Sequence, residues 1–411
     1  MEATTTPQDS VAASLETLAQ IGSTPGGGVT RVAWSPELFA AYDWVGEQLR
    51  DLGLEVEIDA AGNLIGRWGT NGGAPIVVGS HLDTVPSGGR FDGALGVIAA
   101  LHAVRLLQEE GFDPERPLWI VAFMDEEGTR FNAALFGSRA FAGEDVTALG
   151  ERLDSEGVSL REAMAAAGYN IDRATEAQRI GEVGAYFELH IEQGPVLEAE
   201  KIEIGVVTSI VGLRGYRVRL TGEANHAGTT PMSRRRDALV GASRIALDLR
   251  DAARRQQDAT ANIGKISVEP GGANVVPGVA DFTIDARAAT PAGVAALERI
   301  VTETVARVAT EEGLDFELQT TFRLDPLELD PTLVATIEVA ASAEGASSMR
   351  MPSGAGHDAM IIGRHVPAAM LFVPSQRGIS HSPEEHSSPE HLECGMRVLA
   401  GALRQALRSD R

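Results

Sequence analysis

Residues 118–124 form an unbroken apolar run that leads, with no spacer, into three consecutive acids, Asp125, Glu126 and Glu127. The run has the length and content of a buried strand. Like charges packed at the end of such a strand raise one another's pKa and cost stability unless a cation compensates them. A metal ion supplies that cation. Neighbouring carboxylates also point in different directions, so one can ligate while the next stays free to take a proton from water. An exposed acidic turn is the alternative reading of the same three residues.

The surrounding pattern says what kind of sheet holds this strand. Shorter apolar runs occur at 63–68 and 75–79, and amphipathic helical spacing occurs at 35–52, opened by Ser35, Pro36 and Glu37, and at 93–108. Strands alternating with helices imply an α/β sheet with substantial parallel pairing, in which ligands gather at the carboxyl ends of strands. The middle of the chain changes rhythm. Strand patterns at 216–220, 262–268, 279–287 and 315–322 enclose helical patterns at 237–255 and 291–312. That order, βαββαβ, predicts a compact α+β domain over 211–325, inserted into an α/β domain made of 1–210 and 326–411. A helix at 331–344, a strand at 368–373 and a helix at 389–407 complete the outer domain.

Four further sites carry residues suited to metal chemistry. His81 and Asp83 alternate along an extended segment and so face the same way, where Asp83 could hold the imidazole in the tautomer a metal needs. Asp92 lies between a glycine-rich loop and a helix start, a place where helix capping is the ordinary role of an aspartate. His190 sits in the strand-like stretch 188–195, with Gln193 nearby as a possible substrate donor, and His381 follows the late apolar strand. Imidazole and carboxylate together suit zinc, manganese, cobalt or nickel. The single cysteine, Cys394, excludes an intrachain disulfide and any cysteine-based zinc cluster, and its helical surroundings predict a buried thiol.

Charge narrows the partners. Thirty-five Lys and Arg against 58 Asp and Glu give a net charge of -23, which repels phosphate backbones and anionic membrane surfaces. Nucleic acid and membrane are therefore not expected partners, and an anionic substrate needs a local positive site. No run of about 18 apolar residues is present to span a bilayer, and residues 1–28 lack the basic and apolar regions of a secretory signal, which favours the cytoplasm. A serine hydrolase is disfavoured by the absence of a Gly-x-Ser-x-Gly elbow.

Taken in order, the runs 79–97, 124–143, 188–198, 226–232, 270–277, 351–360 and 375–386 resemble the N-carbamoyl-L-amino-acid hydrolase and allantoate amidohydrolase branch of the M20 metallopeptidase superfamily. The resemblance spans about residue 15 to the C-terminus. It implies a mixed-sheet α/β catalytic domain with an inserted lid, and a homodimer formed through that lid. It also implies two divalent ions per subunit: His81, Asp92 and His190 on one, and Asp92, Glu127 and His381 on the other. Glu126 would be the general base and Asp83 would orient His81. His226 would enter the partner subunit's site to stabilise the tetrahedral oxyanion, Asn274 and Arg287 would clamp a substrate carboxylate, Gly356 would meet the substrate through its backbone, and His357 would line the pocket. The implied reaction is cleavage of the ureido C–N bond of an N-carbamoyl-L-amino acid to the free amino acid, ammonia and carbon dioxide. Leu213 stands where some allantoate amidohydrolases carry a glutamine, which shifts the expectation away from allantoate. Allantoate hydrolysis is the near alternative, an aminoacylase or dipeptidase the more distant one, and a non-catalytic protein with a structural metal site the alternative of another class.

Overall fold

The computed structural model describes residues 10–69, 72–256 and 258–408. Residues 1–9, on which part of the reading of the N-terminus falls, lie outside the described residues. In chain order the strands are β1 (Glu55–Ile58), β2 (Leu64–Trp68), β3 (Ile76–His81), β4 (Leu118–Phe123), β5 (Ala185–Ile191), β6 (Ile204–Ile210), β7 (Gly212–Thr221), β8 (Asn225–His226), β9 (Ala259–Glu269), β10 (Val275–Val276), β11 (Val279–Ala288), β12 (Asp315–Leu324), β13 (Leu327–Glu328), β14 (Ser348–Ser353) and β15 (Ala368–Val373). The helices are α1 (Val11–Ala19), α2 (Pro36–Asp51), α3 (Ala94–Glu109), α4 (Phe136–Phe141), α5 (Leu160–Ala166), α6 (Val196–Glu200), α7 (Ala238–Ala253), α8 (Pro291–Glu311), α9 (Pro331–Ala343), α10 (Ala359–Ile362) and α11 (Pro389–Ala406).

The chain forms two compact units. The first lies within Met1–Thr208, Leu329–Met351 and Ala355–Arg411. Its sheet has the order β1-β2-β4-β3-β5-β15-β6. At the centre β4, β3, β5 and β15 run parallel to one another, while β1, β2 and β6 pair antiparallel, so the sheet is mixed. Every residue of the four central strands is buried, as expected of parallel strands covered on both faces. The predicted helix caps form where serine precedes proline: Ser35 Oγ accepts from Leu38 N at the start of α2.

Register positions the site. His81 pairs with Phe123 across β3 and β4, and Phe372 pairs with His190 across β15 and β5. The carboxyl ends of all four central strands therefore finish on one side of the sheet, side by side. The strand expected to end at residue 79 continues through His81, because its parallel ladder with β4 continues that far. The strands β1, β6 and β14 were not anticipated as strands; β1 and β14 are only partly buried, so their pattern lacks the apolar density of a central strand.

The second unit comprises Ser209–Glu328 and Pro352–Gly354. Its antiparallel sheet has the order β12-β7-β11-β9. Val218, Leu220, Phe282 and Ile284 of the strands pack with Ile245 of α7 and Val301 and Val305 of α8 in its core. The chain order β7, α7, β9, β11, α8, β12 is the βαββαβ pattern, with the two-residue ribbon β8/β10 added beside it. No helix among the described residues is long and apolar enough to cross a membrane.

Candidate functional site

Two groups of potential metal ligands meet on Asp92. His81, Asp92 and His190 form one, and Asp92, Glu127 and His381 form the other, with the donor atoms of each group within 4.8 Å of one another. Asp92 divides its oxygens between them: Oδ1 lies 3.2 Å from His190 Nε2 and 3.6 Å from His81 Nε2, and Oδ2 lies 3.3 Å from His381 Nε2. Glu127 Oε1 is 3.5 Å from the same His381 nitrogen.

The donor set fits divalent ions. His81 Nδ1 lies 3.0 Å from the carbonyl oxygen of Asp83, and His190 Nδ1 lies 2.8 Å from that of Ile191. A carbonyl only accepts, so both rings keep a proton on Nδ1, and Nε2, which faces Asp92, is the nitrogen left to ligate once a cation displaces any proton it carries. That is the tautomer a metal requires, held from outside the ligand set.

The loop carrying Asp92 depends on glycine. Gly93 has φ of +65°, and a Cβ built there would lie 2.3 Å from Cε1 of His81, so no other residue allows this approach. Gly93, not Asp92, is the residue at the N-cap of α3, and it makes no side-chain cap. The carboxylate of Asp92 is thus released from the capping role that its position allows and faces the imidazoles. Three non-glycine residues at the site also have positive φ: Asp125 at +57°, Gln193 at +58° and His381 at +55°. Such strain is tolerated where the surroundings over-determine the geometry, at a cost of about 1–3 kcal/mol each.

The acids behave as the sequence pattern requires of buried neighbours. Burial, then the charge of Glu127, raises Glu126 well above the usual carboxyl range. Burial and then Asp92 push Glu127 up to about 8, with His381 opposing. His381 itself is carried up to about 9, first by its hydrogen bond to Asp92. Burial would raise Asp92 as well, but His190 and the other imidazoles hold it well below the ordinary value. Glu126 belongs to neither ligand group, although its Oε2 lies 3.7 Å from His81 Nε2. It is a largely shielded carboxylate beside the candidate ligand groups and outside both.

Several sequence expectations change in detail. The ring of His81 is held mainly by the main-chain oxygen of Asp83; the Asp83 carboxylate accepts instead from the backbone N–H of Glu126 at 3.2 Å and of Glu127 at 3.1 Å, and stands 3.6 Å from His81 Nδ1. It orients the acidic turn as much as the histidine. Gln193 Nε2 donates to Asp92 Oδ2 at 2.7 Å and so engages the ligand set directly. His357 is buried with its ring centroid 4.6 Å from that of His190, and burial followed by the His190 charge lowers its pKa well below the usual value. A Cβ at Gly356 would meet nothing within 4 Å, so its backbone faces open space.

The other expected substrate residues lie in the second unit. His226 is exposed and its Nδ1 accepts from the backbone N–H of Gly228 at 3.0 Å and Thr229 at 3.2 Å. Its neutral ring therefore carries the proton on Nε2. The carbonyl of Asn274 accepts from Ala227 N, which ties the two loops together next to the ribbon pair Val275 and His226. Arg287 is already partnered: Nε and Nη2 donate to the two oxygens of Asp285 at 2.8 and 3.2 Å, and Nη1 donates to the Gly354 carbonyl at 3.0 Å. Leu213 is its cross-strand partner on β7.

Sequence reasoning missed Glu188, Ser380 and Glu385. Glu188 lies fully buried behind the site, with Ser80 Oγ at 2.7 Å, Tyr186 Oη at 3.1 Å and Ala359 N at 3.0 Å. A Glu-x-His spacing on one strand face was the available signal, since residues two apart share a face.

Residues 77–405 match the model of peptidase family M20/M25/M40. The chain is 41% identical over 387 residues to an N-carbamoyl-L-amino-acid amidohydrolase of Paenarthrobacter aurescens, covering 93% of this chain and 94% of that one. It is 39% identical over 403 residues to an allantoate amidohydrolase of Bacillus subtilis (strain 168), covering 96% and 97%. Among solved structures, an amidase of the hydantoinase/carbamoylase family from Burkholderia multivorans superposes with a TM-score of 0.90 at 40% identity, covering 96% of each chain.

Proposed function

The chain belongs to peptidase family M20/M25/M40 and is a metal-dependent hydrolase of C–N bonds, and from that premise we propose that it cleaves the ureido C–N bond of N-carbamoyl-L-amino acids. One water is consumed, and the products are the free amino acid, ammonia and carbon dioxide. The observation that carries this reading is the pair of ligand groups sharing Asp92, with Glu126 beside them and in neither.

Two divalent ions, zinc or manganese with cobalt or nickel as further candidates, would be held by His81, Asp92 and His190 and by Asp92, Glu127 and His381, and when bound would polarise the carbonyl and acidify water. Glu126 takes a proton from the attacking water and hands it to the leaving nitrogen; burial and the neighbouring carboxylates make it more basic than an ordinary carboxylate. His226, with its proton on Nε2, is built as a neutral donor for the oxyanion. Arg287 is the positive site that an anionic substrate needs on this acidic protein; Asp285 fixes one edge of its planar fork, which leaves further N–H groups for a carboxylate. The apolar side chain of Leu213 beside Arg287 offers no donor to a second ureido group, which favours a carbamoyl amino acid over allantoate.

The same reading makes the enzyme a homodimer through the second unit. Among the described residues its edge strand β9 pairs only with β11, and on α7 the apolar Val240 and Leu247 lie a heptad apart and exposed. A second copy covers both features. The direct test of the activity is a steady-state assay of manganese-loaded protein against N-carbamoyl-L-amino acids, allantoate and N-acetyl-L-amino acids. The highest kcat/KM is expected for a carbamoyl amino acid, and a preference for allantoate would select the near alternative.

A further inference from the structure

Asp92 is asked to present one oxygen to each ligand group, yet its own chain segment does little to hold it. It sits between Gly88-Gly89 on one side and Gly93 on the other, and it caps no helix. Gln193 Nε2 donates to its Oδ2, and the rest of what fixes it comes from the loop after β15. Glu385, 4% exposed, accepts through Oε1 from the backbone N–H of Phe91 at 2.9 Å and of Asp92 at 3.1 Å. Its Oε2 lies 2.8 Å from Ser380 Oγ, and the same hydroxyl lies 2.8 Å from Asp92 Oδ2. The glycine-rich loop wraps onto this carboxylate so closely that a Cβ at Gly89 would lie 2.0 Å from Glu385 Oε1. One side chain thus grips the backbone of the shared ligand and, through Ser380, reaches its carboxylate.

We infer that Glu385 is a positioning residue for the shared ligand Asp92, joining the loop after β3 to the loop that carries His381. These two loops follow β3 and β15, which the sheet holds on either side of β5, but no ladder bond joins the loops and fixes their own spacing beyond the strand ends. Glu385 and Ser380 set it, and with it the relation of Asp92 Oδ2 to His381. The inference rests on the two-metal reading of the site.

The test uses the full-length protein stripped with chelator and titrated with Co(II), following visible absorbance and competition with a chelator of known affinity. Wild-type protein is expected to take up two ions; failure to do so overturns the two-metal reading itself and this inference with it. Glu385→Ala is expected to weaken the second uptake step about 10- to 100-fold and to change the Co(II) spectrum, the usual consequence of removing a partner of a ligand. Glu385→Gln is expected to bind close to wild type, because an amide oxygen still accepts both N–H groups and the amide nitrogen still reaches Ser380. A folded Glu385→Ala protein with wild-type affinity and spectrum overturns the inference, as does Glu385→Gln failing as badly as Ala. Should Glu385→Ala not fold, Ser380→Ala decides: a shifted Co(II) spectrum supports the inference, and an unchanged one overturns it.

Discussion

At the scale of single residues, the site separates groups that the chain places next to each other. Glu126 and Glu127 are consecutive, but Glu127 points to His381 and Glu126 toward His81 without joining its ligand group. Their division of labour predicts that Glu126→Gln keeps the metal content of the protein while lowering kcat about 10²- to 10⁴-fold, the range of a lost general base. Retained turnover, measured with metal content in the same sample, would remove Glu126 from the mechanism. The titrating ligands give a second prediction. Glu127 and His381 have raised pKa values of about 8 and 9, so each carries a proton below that pH. A cation must displace those protons, so affinity at this group falls as pH drops through 9 and then 8, by about tenfold per unit for each proton released. Isothermal titration in buffers of different ionisation enthalpy reads the released protons, and an affinity flat between pH 6 and 9 would contradict it.

At the scale of elements, the site exists because four parallel strands end together. The ladders of β3 with β4 and β5, and of β5 with β15, carry His81, the acidic turn, His190 and the His381 loop to one edge. The short turn between β3 and α3 is where this arrangement is most sensitive. An alanine at Gly93 needs a φ of +65° and puts a methyl group onto the ring of His81. Gly93→Ala is therefore expected to cost about 1–3 kcal/mol of backbone strain and to disturb the group of His81, Asp92 and His190. Metal analysis after dialysis should find close to one ion per chain in place of two. The elements themselves were mostly visible in the chain. The runs 118–124 and 368–373 coincide with β4 and β15, whose dense apolar content follows from burial on both faces. The strand β1 was missed although Glu55, Val56, Glu57 and Ile58 alternate as a half-buried strand does, because four residues, none of them buried, are the shortest stretch over which that period can be read.

At the scale of the whole molecule, the prediction concerns sharing between chains. If His226 serves a partner's site, then His226→Ala and Glu126→Gln proteins, each inactive alone, complement each other when refolded as a mixture. Random mixing makes half of the dimers hybrid, each with one complete site, so activity should recover toward about a quarter of wild type. No recovery, with a dimer verified by light scattering, would place His226 in its own chain's chemistry or outside it.

The sequence by itself determined the candidate ligand types, their placement at strand ends and the βαββαβ order of the second unit. These follow from local chemistry: apolar density marks a buried strand, and acids or histidines at its end must answer for their charge. The tertiary structure placed Glu127 within a candidate ligand group and Glu126, as the resemblance implied, outside both; it alone decided that Asp92 leaves its capping position, that Asp83 holds the acidic turn as well as His81, and that Gln193, Ser380 and Glu385 converge on Asp92. Those outcomes depend on the directions in which side chains leave loops more than a hundred residues apart, from Asp92 to Glu385, and no periodicity along one segment encodes a direction set by another.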